Sequence, residues 1–401
     1  MTGVRLNKRG FLVTMILYFT FLTWYYVFFL YVLRHAVGSS AETYVMANVS
    51  FNFVIVITLL LSSFFIHRFN KIHIIYEFSI VTSIVTILLL FTSSIILRLI
   101  LIFVAGTFFS AGQLAFFTYF WSLTVSEERG RVAGLIGFFS LAVFNLLILM
   151  AETLDFSGAV MLSVILSLGT LVVKSLRPEK PMSIAKKDEK GCYSEKRTIL
   201  LYAVPWALFS LINATLARNI AFLISQNISS SPYIFLIILQ VIAANFGALG
   251  GGIIADFFGR KLSLTFSLTL YGISLALAGF AKNYEMLCFV YFANGLNWGI
   301  LLTLYLSVVW GDLANKESCA KTYSIGLIIF YLAMGVGSLL TPELFQISLV
   351  LSSLVSCSLI FLSNMPLILA PELLSSDFRE RIKLKSYMNV IRKIGRKLSQ
   401  N

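Results

Sequence analysis

A chain of 401 residues with 58% hydrophobic and only 12% charged side chains is excluded from the ordinary soluble class, in which about a quarter of residues are charged. Its formal net charge of +13 reflects 31 Lys and Arg against 18 Asp and Glu. Those bases bunch between apolar runs of ~20 residues, the length that crosses a bilayer as a helix. This bunching makes the charge a matter of membrane topology and excludes a nucleic-acid partner. Because a bilayer core offers no water to backbone polar groups, each run must be helical.

The apolar runs predict twelve spans, at 11–33, 44–66, 75–95, 99–122, 132–150, 157–175, 199–224, 233–255, 262–280, 285–309, 322–341 and 346–368. Arg5, Lys8 and Arg9 precede the first. Its apolar stretch is too long and aromatic for a secretory leader, so it is expected to remain as a span. Span 2 runs into SSFFIHRFNKIH, Ser62 to His73, and span 8 into GGIIADFFGRKL, Gly251 to Leu262. Aligned, Gly252 matches Ser63, Asp256 matches His67, Gly259 matches Asn70 and Arg260 matches Lys71, at an offset of 252 − 63 = 189. Other anchors agree. Gly134 and Gly326 open spans 5 and 11 (326 − 134 = 192), and Glu152 and Glu343 close them (343 − 152 = 191). Pro178 and Pro371 follow spans 6 and 12 (371 − 178 = 193).

The chain therefore reads as a duplicated six-helix unit. Residues 1–175 form one bundle, 176–197 a polar linker with Pro178, Pro181 and the Lys186 to Lys190 charge cluster, and 198–370 the second bundle. Residues 371–401 form a basic tail. Within it Phe378, Leu384, Tyr387, Ile391, Ile394 and Leu398 recur at roughly helical spacing among Lys and Arg. Such a segment either lies as a helix on anionic inner-leaflet lipid or stays a disordered basic tail. Only Arg34, Arg98, Arg218 and Lys282 of the 31 bases fall on the side opposite the amino terminus, leaving 27 on its own side. By the positive-inside rule both termini are expected in the cytoplasm, with the protein multi-pass in the cell membrane.

The turn from Gly251 to Leu262 and its faded twin resemble the loops between helices 2 and 3, and between helices 8 and 9, of the major facilitator superfamily of secondary transporters. That resemblance covers essentially 11–374. It implies an all-α integral membrane protein whose twelve transmembrane helices form two bundles rocking about a shared interface. It also implies a conformational gate built on the loop acid. Gly252, Asp256, Gly259, Arg260 and Lys261 match the motif, with Arg129 or Arg131 as the expected partner of Asp256. The first-half copy contributes His67, Arg68 and Lys71, but His67 stands where the acid should be. The gate is therefore expected to be asymmetric; the alternative is that these bases only fix loop topology. Helices 1, 4, 7 and 10 line the cavity in the resembled fold, which points to Tyr18, Tyr25, Gln113, Asn213, Asn297 and Trp298 as substrate contacts. Polar packing between helices is the competing reading. Arg218, in the outer part of span 7, is placed either to bind an anionic group, to pair with Glu343, or simply to snorkel.

No acid falls at the middle of a predicted span, which argues against proton symport. Span 5 lacks the proline pattern of drug/proton antiporters. Three scattered histidines make no metal site, four scattered cysteines make no disulfide framework, and no phosphate-cradling Gly-rich loop or nucleophile elbow is present. No cofactor or enzymatic activity is expected. The expected function is alternating-access transport of a small organic solute by a functional monomer. A non-transporting membrane sensor or scaffold and a multidrug exporter are the alternatives.

Overall fold

The computed structural model describes residues 6–37, 41–151, 154–176, 196–340 and 347–374. Glu152, Glu343, the linker cluster and the basic tail lie outside them. The described residues form twelve long helices: α1 Lys8–Val37, α2 Ala41–Phe65, α3 Lys71–Phe91, α4 Ile95–Leu123, α5 Ser126–Ala151, α6 Phe156–Ser175, α7 Lys196–Asn227, α8 Ser230–Phe258, α9 Arg260–Phe280, α10 Tyr284–Leu313, α11 Cys319–Leu339 and α12 Leu349–Leu369. Eleven of them are long and apolar enough by composition to cross a membrane.

The repeat read from sequence is visible in the packing. Within the first half α1 packs on α5 and α6, α2 on α4, and α3 on α4 and α6. Adding six to each number gives the second half: α7 packs on α11 and α12, α8 on α10, and α9 on α10 and α12. The seam between halves is made by α2 with α11 and by α5 with α8, two contacts that exchange under the same operation. The chain thus has a pseudo-two-fold axis in the seam.

Three helices depart from regular geometry. α1 carries a π-turn at Phe28–Val32 and α10 another at Leu304–Val309; such turns mark places where a helix is re-aimed. α7, expected to be continuous, breaks at Thr215, whose φ of −119° and ψ of −86° are not helical. The Thr215 hydroxyl donates to the Leu211 carbonyl at 2.6 Å, which closes the turn the break leaves open. α10 runs four residues past the predicted end of span 10, and this extension carries Asp312 into the fold.

Inside the bundles, many hydroxyls bond to a carbonyl one turn back or to a neighbouring helix. Thr82 donates to the Phe78 carbonyl and Thr86 to that of Thr82, both at 2.6 Å, and Ser83 meets Ser167 of α6 at 2.6 Å. Large apolar side chains such as Phe53, Ile57, Phe266 and Ile165 are left exposed around the outside, the surface a bilayer would cover.

Candidate functional site

The basic residues converge where α4 hands over to α5, α8 to α9, and α10 to α11, on one face of the bundle. α8 ends at Gly259, whose φ of 111° lets the chain turn straight into α9 at Arg260. A side chain there would be strained, and its Cβ would run into the Glu372 carboxylate. One helical turn before the corner, Asp256 is 1% exposed. Its Oδ1 accepts from the Gly130 backbone N–H at 3.0 Å and from the Arg260 guanidinium. Its Oδ2 accepts from the Arg131 N–H at 2.8 Å and from Arg131 Nε at 3.0 Å.

Asp256 reaches the backbone of α5 because α5 and α8 touch there. A Cβ added to Gly252 would collide with the Gly130 carbonyl and the Gly134 Cα. The glycine is thus what brings the two helices, and so the two halves, into contact.

Arg260 extends the network. Its Nε donates to Asp312 Oδ2 at 2.8 Å and its Nη2 to the Ser126 carbonyl at 2.6 Å. Asp312 Oδ1 accepts from Ser126 Oγ at 2.8 Å and pairs with Arg129. Arg129, 1% exposed, is held by Thr124 through its hydroxyl and carbonyl, both at 3.2 Å. Nearby, Trp121 Nε1 donates to the Gly311 carbonyl at 2.9 Å. Three guanidinium groups and two carboxylates therefore alternate across the seam, Arg129 and Arg131 from the first half, Asp256, Arg260 and Asp312 from the second. An ion network so desolvated holds only while every charge keeps its partners, and here it clamps the two halves together.

Glu372, just past α12, braces the second-half side of the clamp. It accepts from the Arg260 N–H at 2.7 Å and the Lys261 N–H at 3.1 Å, two donors that the start of α9 leaves free. The Lys261 ammonium in turn donates to the Ile368 carbonyl, away from the seam. Of the expected partners of Asp256, Arg131 makes the direct ion pair and Arg129 goes to Asp312. Asp312 escaped the sequence reading because it lies past the end of an apolar run. A signal was available: Trp310 stands 310 − 121 = 189 residues after Trp121, the register of the repeat, so the end of α10 mirrors the helical end of α4.

The first-half loop is built otherwise. His67 and Arg68 are exposed, the latter over the Phe65 ring at 5.9 Å. Asn70 caps α3 by accepting from the Ile72 N–H at 3.1 Å, and Lys71 reaches the Thr118 carbonyl at 3.5 Å within its own half. Across this seam Lys321 lies over the Phe64 ring at 5.2 Å.

The predicted cavity residues separate into three groups. Tyr18, Tyr25, Gln113 and Trp298 lie at the seam. Tyr18 neighbours Ser307, Tyr25 donates to Asn52 at 3.0 Å and packs edge-on to Tyr331 at 5.1 Å, and Tyr331 donates to Gln113 at 2.8 Å. Trp298 packs on Leu141, Phe144 and Ala248. Asn213 and Arg218 instead line a recess of about 200 Å³ inside the second half, with Gln240, Tyr271, Tyr291 and Asn294. Asn297 lies in neither place. It is 1% exposed, donates to the Ala293 carbonyl at 2.7 Å, and accepts from Ser267 of α9 at 3.3 Å. Its turn of α10 faces α9, so it is a packing residue here.

Residues 183–346 match the family described as "Sugar (and other) transporter". A lincomycin resistance protein from Streptomyces lincolnensis is 32% identical over 123 residues, 29% of this chain and 23% of that one. The match thus spans about a quarter of that relative. Among solved structures, the human organic anion transporter MFSD10 (TETRAN) superposes with a TM-score of 0.71 at 12% identity, covering 90% of this chain and 99% of that one. The major facilitator transporter FucP in the outward conformation gives 0.68 at 11%, covering 88% and 97%. The proton:xylose symporter XylE bound to 6-bromo-6-deoxy-D-glucose gives 0.66 at 15%, covering 91% and 96%.

Proposed function

We propose that the chain is a transporter of the major facilitator superfamily, moving a small organic solute across the cell membrane by alternating access; its fold and the transporter-family match of residues 183–346 support this reading. The observation that carries the reading is the clamp of Asp256 and Asp312 with Arg129, Arg131 and Arg260. Five charges shared between two halves, four of them on buried side chains, are a poor way to glue a static protein, since apolar residues of like volume would hold as well or better. They suit an interface that must separate, because water can solvate each charge once the halves part.

The excess of Lys and Arg on the clamped face supports a cytoplasmic position for it. The state described here is then closed to the cytoplasm, with solute entering from outside. The two halves, 1–175 and 198–370, rock about the α5–α8 and α2–α11 seams. One chain carries both halves of the seam, so a monomer suffices.

Counterflow of labelled solutes in proteoliposomes tests the reading. Accumulation of any sugar, organic acid or amino acid, lost in Asp256→Asn, supports it. A folded protein that binds a solute yet exchanges none would instead be a membrane sensor. The partial likeness to a lincomycin resistance protein favours a second reading, drug export, which the same vesicles test with lincosamides.

A further inference from the structure

The duplication carries one more consequence. The helices that line the recess keep nearly one register with their first-half twins: Lys8 with Lys196 (196 − 8 = 188), Ala41 with Ser230 (230 − 41 = 189), Lys71 with Arg260 (260 − 71 = 189) and Ile95 with Tyr284 (284 − 95 = 189). Subtracting 189 from the recess residues of the second half gives their first-half counterparts. Asn213 becomes Trp24, Arg218 becomes Phe29, Gln240 becomes Phe51 and Asn294 becomes Ala105. Ala217 becomes Phe28 and Ala278 becomes Leu89. Each of these first-half residues is at most 1% exposed. They pack as solid core: Trp24 stacks on Phe28 at 4.7 Å, and Phe28 lies against Phe51 at 5.3 Å.

The same place in one architecture is therefore filled with aromatic rings in one half and hollow and polar in the other. The fold itself does not need the hollow, since its twin closes it. Replacing Phe and Leu by Ala leaves a void that costs stability in proportion to its volume, and a charge within the span of a membrane helix is a functional site by default. Both point to an occupant.

The lining says what kind. Arg218 is its cation, and no Asp or Glu lines it. The Asn213 side-chain oxygen accepts from the Tyr271 hydroxyl at 3.4 Å, and that of Asn294 accepts from Gln240 at 3.0 Å. The Asn213 NH2 is thereby left as a donor, and the Asn294 NH2, which also meets the Tyr271 hydroxyl, keeps its second N–H. One guanidinium and two amides make a donor-rich cradle for an oxyanion, while Ala217, Ala221 and Ala278 offer an apolar wall. At about 200 Å³ the recess is below the ~300–1,000 Å³ that drug-sized ligands need.

We propose that this recess binds a small organic anion, its oxyanion head on Arg218, Asn213 and Asn294 and its short apolar body against the alanines. The assignment rests on the transport reading for its purpose, and makes the anion the transported solute.

The test uses the full chain in detergent, with unfolding temperature read against benzoate, butyrate and uncharged benzamide at matched ionic strength. An acid that binds the native state raises that temperature with its concentration. Benzoate or butyrate should do so and benzamide should not. Arg218→Gln should weaken the apparent affinity at least tenfold. Ala278→Leu, which installs the first-half residue, should abolish binding while leaving the ligand-free unfolding temperature equal or higher, showing an intact fold. Equal responses to benzoate and benzamide, an Arg218→Gln affinity unchanged from the parent, or no rise with either acid overturns the assignment. Counterflow separates it from the transport reading. Binding of benzoate through Arg218 without movement removes transport and leaves the site. Movement of a neutral sugar, indifferent to benzoate and to Arg218→Gln, removes the anion site and leaves transport.

Discussion

Asp256 takes both the backbone N–H and the Nε of Arg131, at 2.8 and 3.0 Å, so a single carboxylate fixes the position of α5 and the direction of one of its side chains. The two contacts differ in what a substitution removes. The N–H bond survives any acceptor of similar shape, whereas the ion pair needs the charge.

Asp256→Asn is accordingly the sharpest probe of the clamp. It keeps an oxygen for Gly130 or Arg131 but leaves three guanidinium groups facing one carboxylate. Removing one partner from a buried pair costs about 3–5 kcal/mol, and here that cost falls on the clamped state alone. Spin labels placed on α5 and α8 at the clamped face should report a distance distribution shifted to longer values, and solute exchange should fall at least tenfold. A distribution identical to the parent's would show that the clamp does not set the conformational equilibrium.

Asp312 and Arg129 offer a second, independent measurement. Both are buried, they pair directly, and Arg260 bonds the same carboxylate from the other side at 2.8 Å. Groups in one ion network couple by about 0.5–3 kcal/mol. A cycle of Asp312→Asn, Arg129→Gln and the double variant, read by thermal unfolding, should therefore be non-additive, the double variant being less damaged than the sum of the singles. Strict additivity would mean that the two side chains act separately.

How much of this was legible in the sequence follows from what the bilayer imposes. The twelve helices could be read because a crossing needs a long apolar run, which eleven of them carry, and the duplication because its register barely drifts over six helices. Asp256, Arg129 and Arg131 were legible through the loop pattern, which a charged turn between two apolar runs displays openly. Asp312 was not, because hydropathy ends a span at the last apolar residue and α10 continues past it to Leu313. Asn297 was assigned to the cavity by helix number. One residue on a helix turns by about 100°, so knowing the helix does not give the face, and Asn297 faces α9. The hollow at Arg218 needed both halves in three dimensions.

Glu372 gives a third prediction. It bonds the N–H groups of Arg260 and Lys261 as an N-terminal cap would, and losing such a cap costs about 0.5–2 kcal/mol. Glu372→Ala should lower the unfolding temperature modestly while leaving the Arg131–Asp256 pair in place, so the label distance across the seam should change less than in Asp256→Asn. A shift as large as that of Asp256→Asn would make Glu372 a full member of the clamp.

The exposed His67 separates the halves functionally. Surface substitutions away from buried features usually change stability by less than about 0.5 kcal/mol, and the ring has no part in the network around Asp256. His67→Ala should leave exchange and unfolding temperature near those of the parent. A loss comparable to that of Asp256→Asn would mean that the first-half loop forms a clamp of its own at another stage of the cycle.

Two neighbouring glycines provide the last contrast, because one residue type in one helix meets opposite surroundings. A Cβ at Gly252 would strike the Gly130 carbonyl of α5, whereas a Cβ at Gly250 meets nothing within 4 Å. The obstruction at Gly252 is backbone, which cannot rotate aside, so Gly252→Ala must push α5 and α8 apart. That displacement carries the Gly130 and Arg131 N–H groups away from Asp256 and breaks the clamp without altering a charge. Gly250→Ala removes a helix-interior glycine and should be neutral or stabilising by roughly 0.5–1 kcal/mol. The pair should therefore diverge: Gly252→Ala should lengthen the α5–α8 label distance and depress exchange, while Gly250→Ala keeps both at the parent values. Equal behaviour of the two variants would show that close approach of these helices is not what holds the halves together.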